Sequence, residues 1–316
     1  MSSGPVAIID IGSNSIKVLV AGRASNGGIA SLAARTIDAR ISAGISQTHP
    51  RLTDEGMARG LDAVRSLLAE AAPFAPARTV LVATSAVRDA ENGPEFRARV
   101  RAATGHDIRI LSGDQEAGLI GRGLTSDPAL SDLRDFYVFD LGGGSLECLA
   151  FRDRRIQQAV SLQLGCVRLM EKFIADPAAP FPPQAGREIA VWCRAALAQS
   201  GFAFSLPVTA VAVGTGGTMT TARAVLGART GVPFERTDVV VAVAQLRALL
   251  DSLGGLSLTA RREIPGLPPA RADVFPTALA TFLAVAVAGG FDGFRNSIHN
   301  LRYGLAAELL TEPRRR

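Results

Sequence analysis

The strongest constraint on how this chain can fold is a unit that occurs twice: an apolar run, an aspartate, a turn of small residues and a second apolar run. In Tyr137-Val-Phe-Asp-Leu-Gly-Gly-Gly-Ser-Leu-Glu-Cys-Leu-Ala-Phe151 the first run ends in Asp140, Gly142 to Ser145 form the turn, and Glu147 stands at the start of the second run. Val6-Ala-Ile-Ile-Asp-Ile-Gly-Ser-Asn-Ser-Ile-Lys-Val-Leu-Val20 repeats the unit, with Asp10 answering Asp140 and Ser13-Asn14-Ser15 answering Gly143-Gly144-Ser145. Taken singly, such a stretch also reads as a tight hairpin whose glycines serve only the backbone. Two copies argue for two similar domains facing each other across a cleft. Small residues let a turn aim its N–H groups at an anion, so each turn can cradle phosphate. A carboxylate beside phosphate is sensible only with a divalent cation between them or a water to activate. Asp10 and Asp140 therefore read as sharing a metal in the cleft.

With 316 residues the chain is long enough for two domains with their own cores. Its 47% hydrophobic and 5% aromatic content excludes disordered and collagen-like classes and leaves few stacking platforms for single-stranded nucleic acid. All of its basic residues except Lys17 and Lys172 are arginine, at a formal net charge of +5. Guanidinium forks suit phosphate oxygens, although GC-rich coding produces the same bias. The three cysteines, Cys148, Cys166 and Cys193, lack metal-ligand spacing and fit buried thiols in a reducing cytoplasm. Met1-Ser-Ser-Gly-Pro5 runs straight into a strand, so no targeting peptide is expected, and the apolar segment 278–288 is too short for a membrane span. The expectation is a cytoplasmic protein with an anionic partner, no nucleic acid and no membrane, and a homodimer by default.

Between the repeats the pattern alternates as in an α/β domain. Thr53 caps a helix carrying Met57, Leu61, Val64 and Leu68, and residues 79–85 read as a buried strand. Arg88, just past that strand, is either a phosphate fork or a surface arginine. A strand at 108–111 precedes a helix capped by Ser112 or Asp114, with Glu116 in its first turn for the dipole or for catalysis. Residues 126–135 read as the connection to a second domain. The domains expected are 1–125, with a closing helix at about 298–312 packing back on it, and 126–297. In the second, 208–223 is a strand, a glycine turn and a helix, an arrangement that offers free N–H groups to an anion. It lacks the Gly-Lys-Ser/Thr of a Walker loop, and Met219 replaces the third glycine of a dinucleotide fingerprint. The tail, 312–316, reads as a solvated end.

Ile9-Asp-Ile-Gly-Ser-Asn-Ser-Ile16, Ala83-Thr-Ser-Ala-Val-Arg-Asp-Ala90 with Asn92, Ser112-Gly-Asp-Gln-Glu-Ala117, Phe139-Asp-Leu-Gly-Gly-Gly-Ser-Leu-Glu147, Ser161-Leu-Gln-Leu-Gly165, Gly214-Thr-Gly-Gly-Thr218 and Pro265-Gly-Leu-Pro-Pro-Ala-Arg-Ala-Asp273 follow one another along nearly the whole chain. In that order they resemble the exopolyphosphatase / guanosine pentaphosphate phosphohydrolase (Ppx/GppA) family. The resemblance implies an α/β fold with two actin-like, ribonuclease H-like domains facing an interdomain cleft, in the short form without further C-terminal helical domains. It implies Glu116 and Glu147 as catalytic carboxylates and Asp140 and Asp10 as ligands of Mg²⁺ or Mn²⁺. Ser13, Asn14, Arg88, Gly143, Gly144 and Ser145 match phosphate-contacting positions. The implied substrates are inorganic polyphosphate or guanosine pentaphosphate; a polyphosphate or nucleotide sensor with little catalysis and an ATP-driven member of the same fold are the alternatives. The chemistry agrees, because phosphoryl transfer to water needs positioning, charge neutralisation and a carboxylate base, with no covalent nucleophile. Two positions depart from the family pattern: Gln115, where a second acidic residue is common, and Tyr303, where a glutamate is usual.

Overall fold

A computed structural model describes residues 4–311 and divides into two compact units, Met1–Leu130 with His299–Arg316, and Ser131–Ile298. The basic tail, 312–316, and the first three residues lie outside the described residues.

In the first unit, β1 (Val6–Ile11), β2 (Ile16–Arg23), β3 (Ile29–Ile37), β4 (Arg78–Ala83) and β5 (Ile108–Ile110) form one sheet in the order β3-β2-β1-β4-β5. β1 is buried along its whole length. A run as apolar as Val-Ala-Ile-Ile-Asp-Ile can sit only where both faces of a strand are covered, so it takes the centre, antiparallel to β2 and parallel to β4. β3, half exposed, takes the edge. The helices are α1 (Asp54–Ala71), α2 (Ser85–Arg88), α3 (Gly93–Thr104) and α4 (Gly113–Thr125). The cap expected at Thr53 is present, its side chain accepting from Gly56 N, and Met57, Val64 and Leu67 of α1 join the core under the sheet.

In the second unit β6 (Phe136–Leu141), β7 (Leu146–Arg152) and β8 (Arg155–Leu162) are followed by α5 (Cys166–Phe173), α6 (Pro183–Gln199), β9 (Val211–Thr215) and α7 (Gly217–Thr230). Then come β10 (Val240–Ala242), α8 (Val243–Gly254), α9 (Leu258–Arg262), α10 (Phe275–Gly289) and β11 (Gly293–Asn296). The sheet order is β10-β11-β9-β6-β7-β8, so β8-β7-β6-β9-β11 reproduces the first unit's order with β10 added at the edge. α11 (Leu301–Thr311) packs on α4 and β1, which joins the chain's last described helix to the first unit. The apolar segment 278–288 is the interior of α10, and among the described residues no helix is long and apolar enough to cross a membrane.

Candidate active site

Both repeated stretches are β-hairpins in the same register. In the first, Ile11 pairs with Ile16 and Asp10 with Lys17; in the second, Leu141 pairs with Leu146 and Asp140 with Glu147. Cross-strand partners in an antiparallel pair project to the same face, so Asp140 and Glu147 present two carboxylates side by side, whereas Asp10 shares its face with a lysine. Each turn is closed by one backbone bond, Gly12 N to Ser15 O at 3.2 Å and Gly142 N to Ser145 O at 3.0 Å.

The second turn is held from its carbonyl side. The first amides of α5 donate to it, Cys166 N to Gly142 O at 3.0 Å and Val167 N to Gly143 O at 2.9 Å, and Arg168 Nε donates to Gly144 O at 3.0 Å. In a trans peptide the C=O and the next N–H point in opposite directions, and among the described residues there is no cis peptide. Three carbonyls tied to α5 therefore leave the N–H groups of Gly143, Gly144 and Ser145 directed away from it, as an anion cradle requires. Glu147 is buried, and its Oε1 accepts from Ser161 Oγ at 2.7 Å. Asp140 lies against Gly216, whose φ of +84° and lack of a side chain leave room for the carboxylate; a Cβ there would collide with Asp140 Oδ1. At the N-terminus of α7, Thr218 Oγ1 is buried without a hydrogen-bond partner among the described residues, as is Nε of Arg271, whose guanidinium lies where a Cβ of Gly217 would be.

The first turn is held by a loop instead of a helix. Arg40 N donates to Asn14 O at 2.9 Å and Ser42 Oγ to Ser13 O at 3.1 Å. Arg40 also donates from Nε to Asn14 Oδ1 at 3.1 Å, which fixes the side-chain amide and leaves Nδ2 buried without a partner among the described residues. A buried donor left unmade costs about 1–3 kcal/mol, a cost a phosphate oxygen would relieve. Ser13 Oγ lies 3.1 Å from Ser85 Oγ at the start of α2. Arg88, at the end of α2, donates from Nη1 to Leu111 O at 3.1 Å and to Glu116 Oε2 at 2.8 Å. Glu116 is buried in the first turn of α4, whose N-terminus is closed by a reciprocal bond pair between Ser112 and Gln115. The unusual Gln115 is thus a helix-capping residue. Asp10, Ser13, Arg88 and Glu116 stand together at the carboxyl ends of the parallel strands β1, β4 and β5, where open α/β sheets take ligands.

Each predicted site residue therefore falls beside one of the two turns, Asp10, Ser13, Asn14, Arg88 and Glu116 in the first unit and Asp140, Gly143, Gly144, Ser145 and Glu147 in the second. Arg168, Arg40 and Ser42 were not singled out from the sequence, and Ser161 and Arg271, which lie in the quoted motifs Ser161–Gly165 and Pro265–Asp273, were given no role there. All act on residues distant along the chain. The three cysteines are free and buried; burial pushes the Cys193 thiol up to about 12, and burial, aided by the Glu147 charge, raises Cys148 well above its usual range, which keeps these two thiols protonated.

No group of three or more His, Cys, Asp or Glu side chains that could hold a metal ion occurs among the described residues. A preformed cage is not what Mg²⁺ requires: it is commonly bound through one or two carboxylates with substrate phosphates and water filling the remaining positions. The Asp140 carboxylate, a hard oxygen donor beside an amide cradle, fits that pattern.

The family model described as the Ppx/GppA phosphatase family matches residues 19–311. The chain is 30% identical over 317 aligned residues to a protein of Vibrio vulnificus named guanosine-5'-triphosphate,3'-diphosphate pyrophosphatase, covering 98% of this chain and 60% of that one. A protein of the same name from Aliivibrio fischeri is 28% identical, over 97% of this chain and 59% of its own length, so the chain spans about three fifths of these relatives. Among solved structures, an exopolyphosphatase from Cytophaga hutchinsonii superposes with a TM-score of 0.86 at 21% identity, covering 97% of each chain. The Aquifex aeolicus Ppx/GppA enzyme gives 0.75 at 24%, covering 98% of this chain and 99% of that one. These likenesses and the twice-repeated sheet order agree on a fold of two α/β units.

Proposed function

Because the chain belongs to the Ppx/GppA phosphatase family, we propose that it hydrolyses the terminal phosphoanhydride bond of inorganic polyphosphate by direct attack of water. The observation that supports this reading most is the second hairpin, where an amide cradle and a buried carboxylate share one short turn. Glu147 takes the proton of the attacking water. Ser161 occupies its Oε1 at 2.7 Å and thereby fixes the carboxylate plane. The Gly143, Gly144 and Ser145 amides meet the charge that spreads over the equatorial oxygens of the transferred group. In the first unit Ser13 and the Asn14 amide are donors suited to phosphate oxygens. Arg88 exchanges part of its bond to Glu116 for a phosphate oxygen, so that Glu116 becomes the second carboxylate able to move a proton. Asp140 in the second unit, and likewise Asp10 in the first, is an aspartate that would hold Mg²⁺ or Mn²⁺; the ion when bound would neutralise charge on the phosphate oxygens and the leaving group.

A second reading, hydrolysis of guanosine pentaphosphate, is favoured by the names of the relatives from Vibrio vulnificus and Aliivibrio fischeri. The unpartnered Thr218 and Arg271 atoms at the N-terminus of α7 give it a second anion contact in the same unit. A sensor without catalysis is disfavoured, since it would have no use for a buried Glu147 held by Ser161. The free thiols suit the cytoplasm. Phosphate release from polyphosphate and from guanosine pentaphosphate, measured on one preparation with and without Mg²⁺, separates the readings. Faster turnover of polyphosphate supports the first and faster turnover of the nucleotide the second. No release from either sinks both.

A further inference from the structure

Three helices of the second unit, α6, α8 and α10, line a trough of about 690 Å³ that shares no residue with the turns and carboxylates described above. α10 packs against both of the others and so forms the floor, on which Ala280, Leu283, Ala284 and Val287 recur at helical spacing. The walls present Arg187, Ala190 and Arg194 from α6 and Arg247, Leu250 and Asp251 from α8. Phe181 N donates to Gly254 O at 2.7 Å, tying the loop before α6 to the end of α8 and closing the trough there.

The lining divides by chemistry. The floor is aliphatic and reaches solvent at Val287, which is 62% exposed. The rim carries three guanidinium groups against the single carboxylate of Asp251. Among the described residues the guanidinium groups of Arg194 and Arg247 make no hydrogen bond or ion pair, and the partner of the Arg187 guanidinium is the neutral Gln184 Oε1, at 3.0 and 2.7 Å. Other exposed arginines of the chain do find carboxylates, as Arg97 does at Asp107 and Arg134 at Asp153. Arg187 and Arg194 are seven residues apart, about 10 Å along the helix.

An aliphatic trough under an uncompensated cationic rim is complementary to one ligand chemistry, an anionic head on an apolar tail. We propose that this trough binds an amphipathic anion, a carboxylate or phosphate carrying an unbranched aliphatic chain, with the tail along α10 and the head between Arg194 and Arg247. The inference is independent of the hydrolytic reading.

Isothermal titration of the full chain with decanoate and with decyl phosphate, and with decyltrimethylammonium as the cation of equal tail, tests it. Saturable one-to-one uptake of at least one anion and none of the cation is expected, and the anion taken up identifies the head group. Arg194→Glu and Arg247→Glu should each weaken uptake about tenfold or more, since each replaces an attraction by a repulsion. Ala284→Trp should abolish it by filling the floor; because Ala284 is buried and that variant can misfold, the two surface charge reversals decide, with melting curves matching the parent chain. No saturable uptake of either anion to about 1 mM, equal uptake of the cation, or unchanged affinity in both charge reversals would overturn the proposal. So would self-association of the free chain that either reversal abolishes, which would assign the trough to a second copy.

Discussion

The two hairpins share a register, a turn length and a closing bond, and they differ in what faces the aspartate. Asp10 looks across at Lys17 and Asp140 at Glu147. They differ also in how the turn is braced. The first is held by the Arg40–Ser42 loop, through one backbone amide and one hydroxyl on its carbonyls and the Arg40 guanidinium on the Asn14 side chain; the second is held by the first turn of a helix, three amides and a guanidinium, all on backbone carbonyls. A duplicated scaffold can therefore divide its labour. The second hairpin, rigid and with paired carboxylates, is suited to the chemical step, and the first, with an unsatisfied amide donor, is suited to gripping phosphate.

The largest expected effect follows from that division. Glu147→Gln keeps the Ser161 contact and removes the base, so phosphate release should fall about 10²–10⁴-fold in kcat with KM nearly unchanged. Gly216→Ala comes next. It strains a left-handed backbone position and drives a methyl into the Asp140 carboxylate, and activity should drop about 10- to 100-fold together with a lower melting temperature. If Gly216→Ala is fully active, Asp140 has no position to defend and the bracing argument fails.

In the first hairpin Asn14→Asp keeps the acceptor for Arg40 but turns the free donor into a negative charge. KM should rise about tenfold or more while kcat changes little. A fall in kcat alone would place Asn14 on the side of the chemistry and break the comparison.

Much of this was legible in the sequence because it is local. Continuous apolar runs marked β1 and β6 as strands, the Asp-and-small-residue turns marked the hairpins, and Thr53 and the pair Ser112 or Asp114 announced their helices, the structure giving the second cap to Ser112. The family and its fold were read from motif order. What escaped was non-local or short. α5 has no capping side chain and only eight residues, yet it orients the cradle; β11 has four residues and follows two glycines. Arg168 and Arg271 reach back 24 and 54 positions along the chain to Gly144 and Gly217, and no periodicity encodes such a contact. Gln115 looked like a weakened motif and is a cap; Tyr303 looked like a lost acid and stacks on His299 at 3.8 Å.

The smallest effect concerns His299, just before α11 in the first unit. Burial lowers the pKa of His299 below its usual value against an opposing pull from Asp127. The unfolded chain then binds the proton more readily than the folded one. Stability is present in full above about pH 6.5 and is lost as pH falls toward the lower folded value, at no more than about 1.4 kcal/mol per pH unit. His299→Gln should flatten the dependence of the melting temperature between about pH 7.5 and 5.5; an unchanged slope would show that other groups set it.

One assay reaches the division of labour most directly: steady-state phosphate release from polyphosphate by Glu147→Gln and Asn14→Asp, measured side by side with the parent chain. The account predicts that the first loses kcat at constant KM and the second gains KM at nearly constant kcat. The reverse assignment, or equal losses of both parameters in both variants, would contradict it.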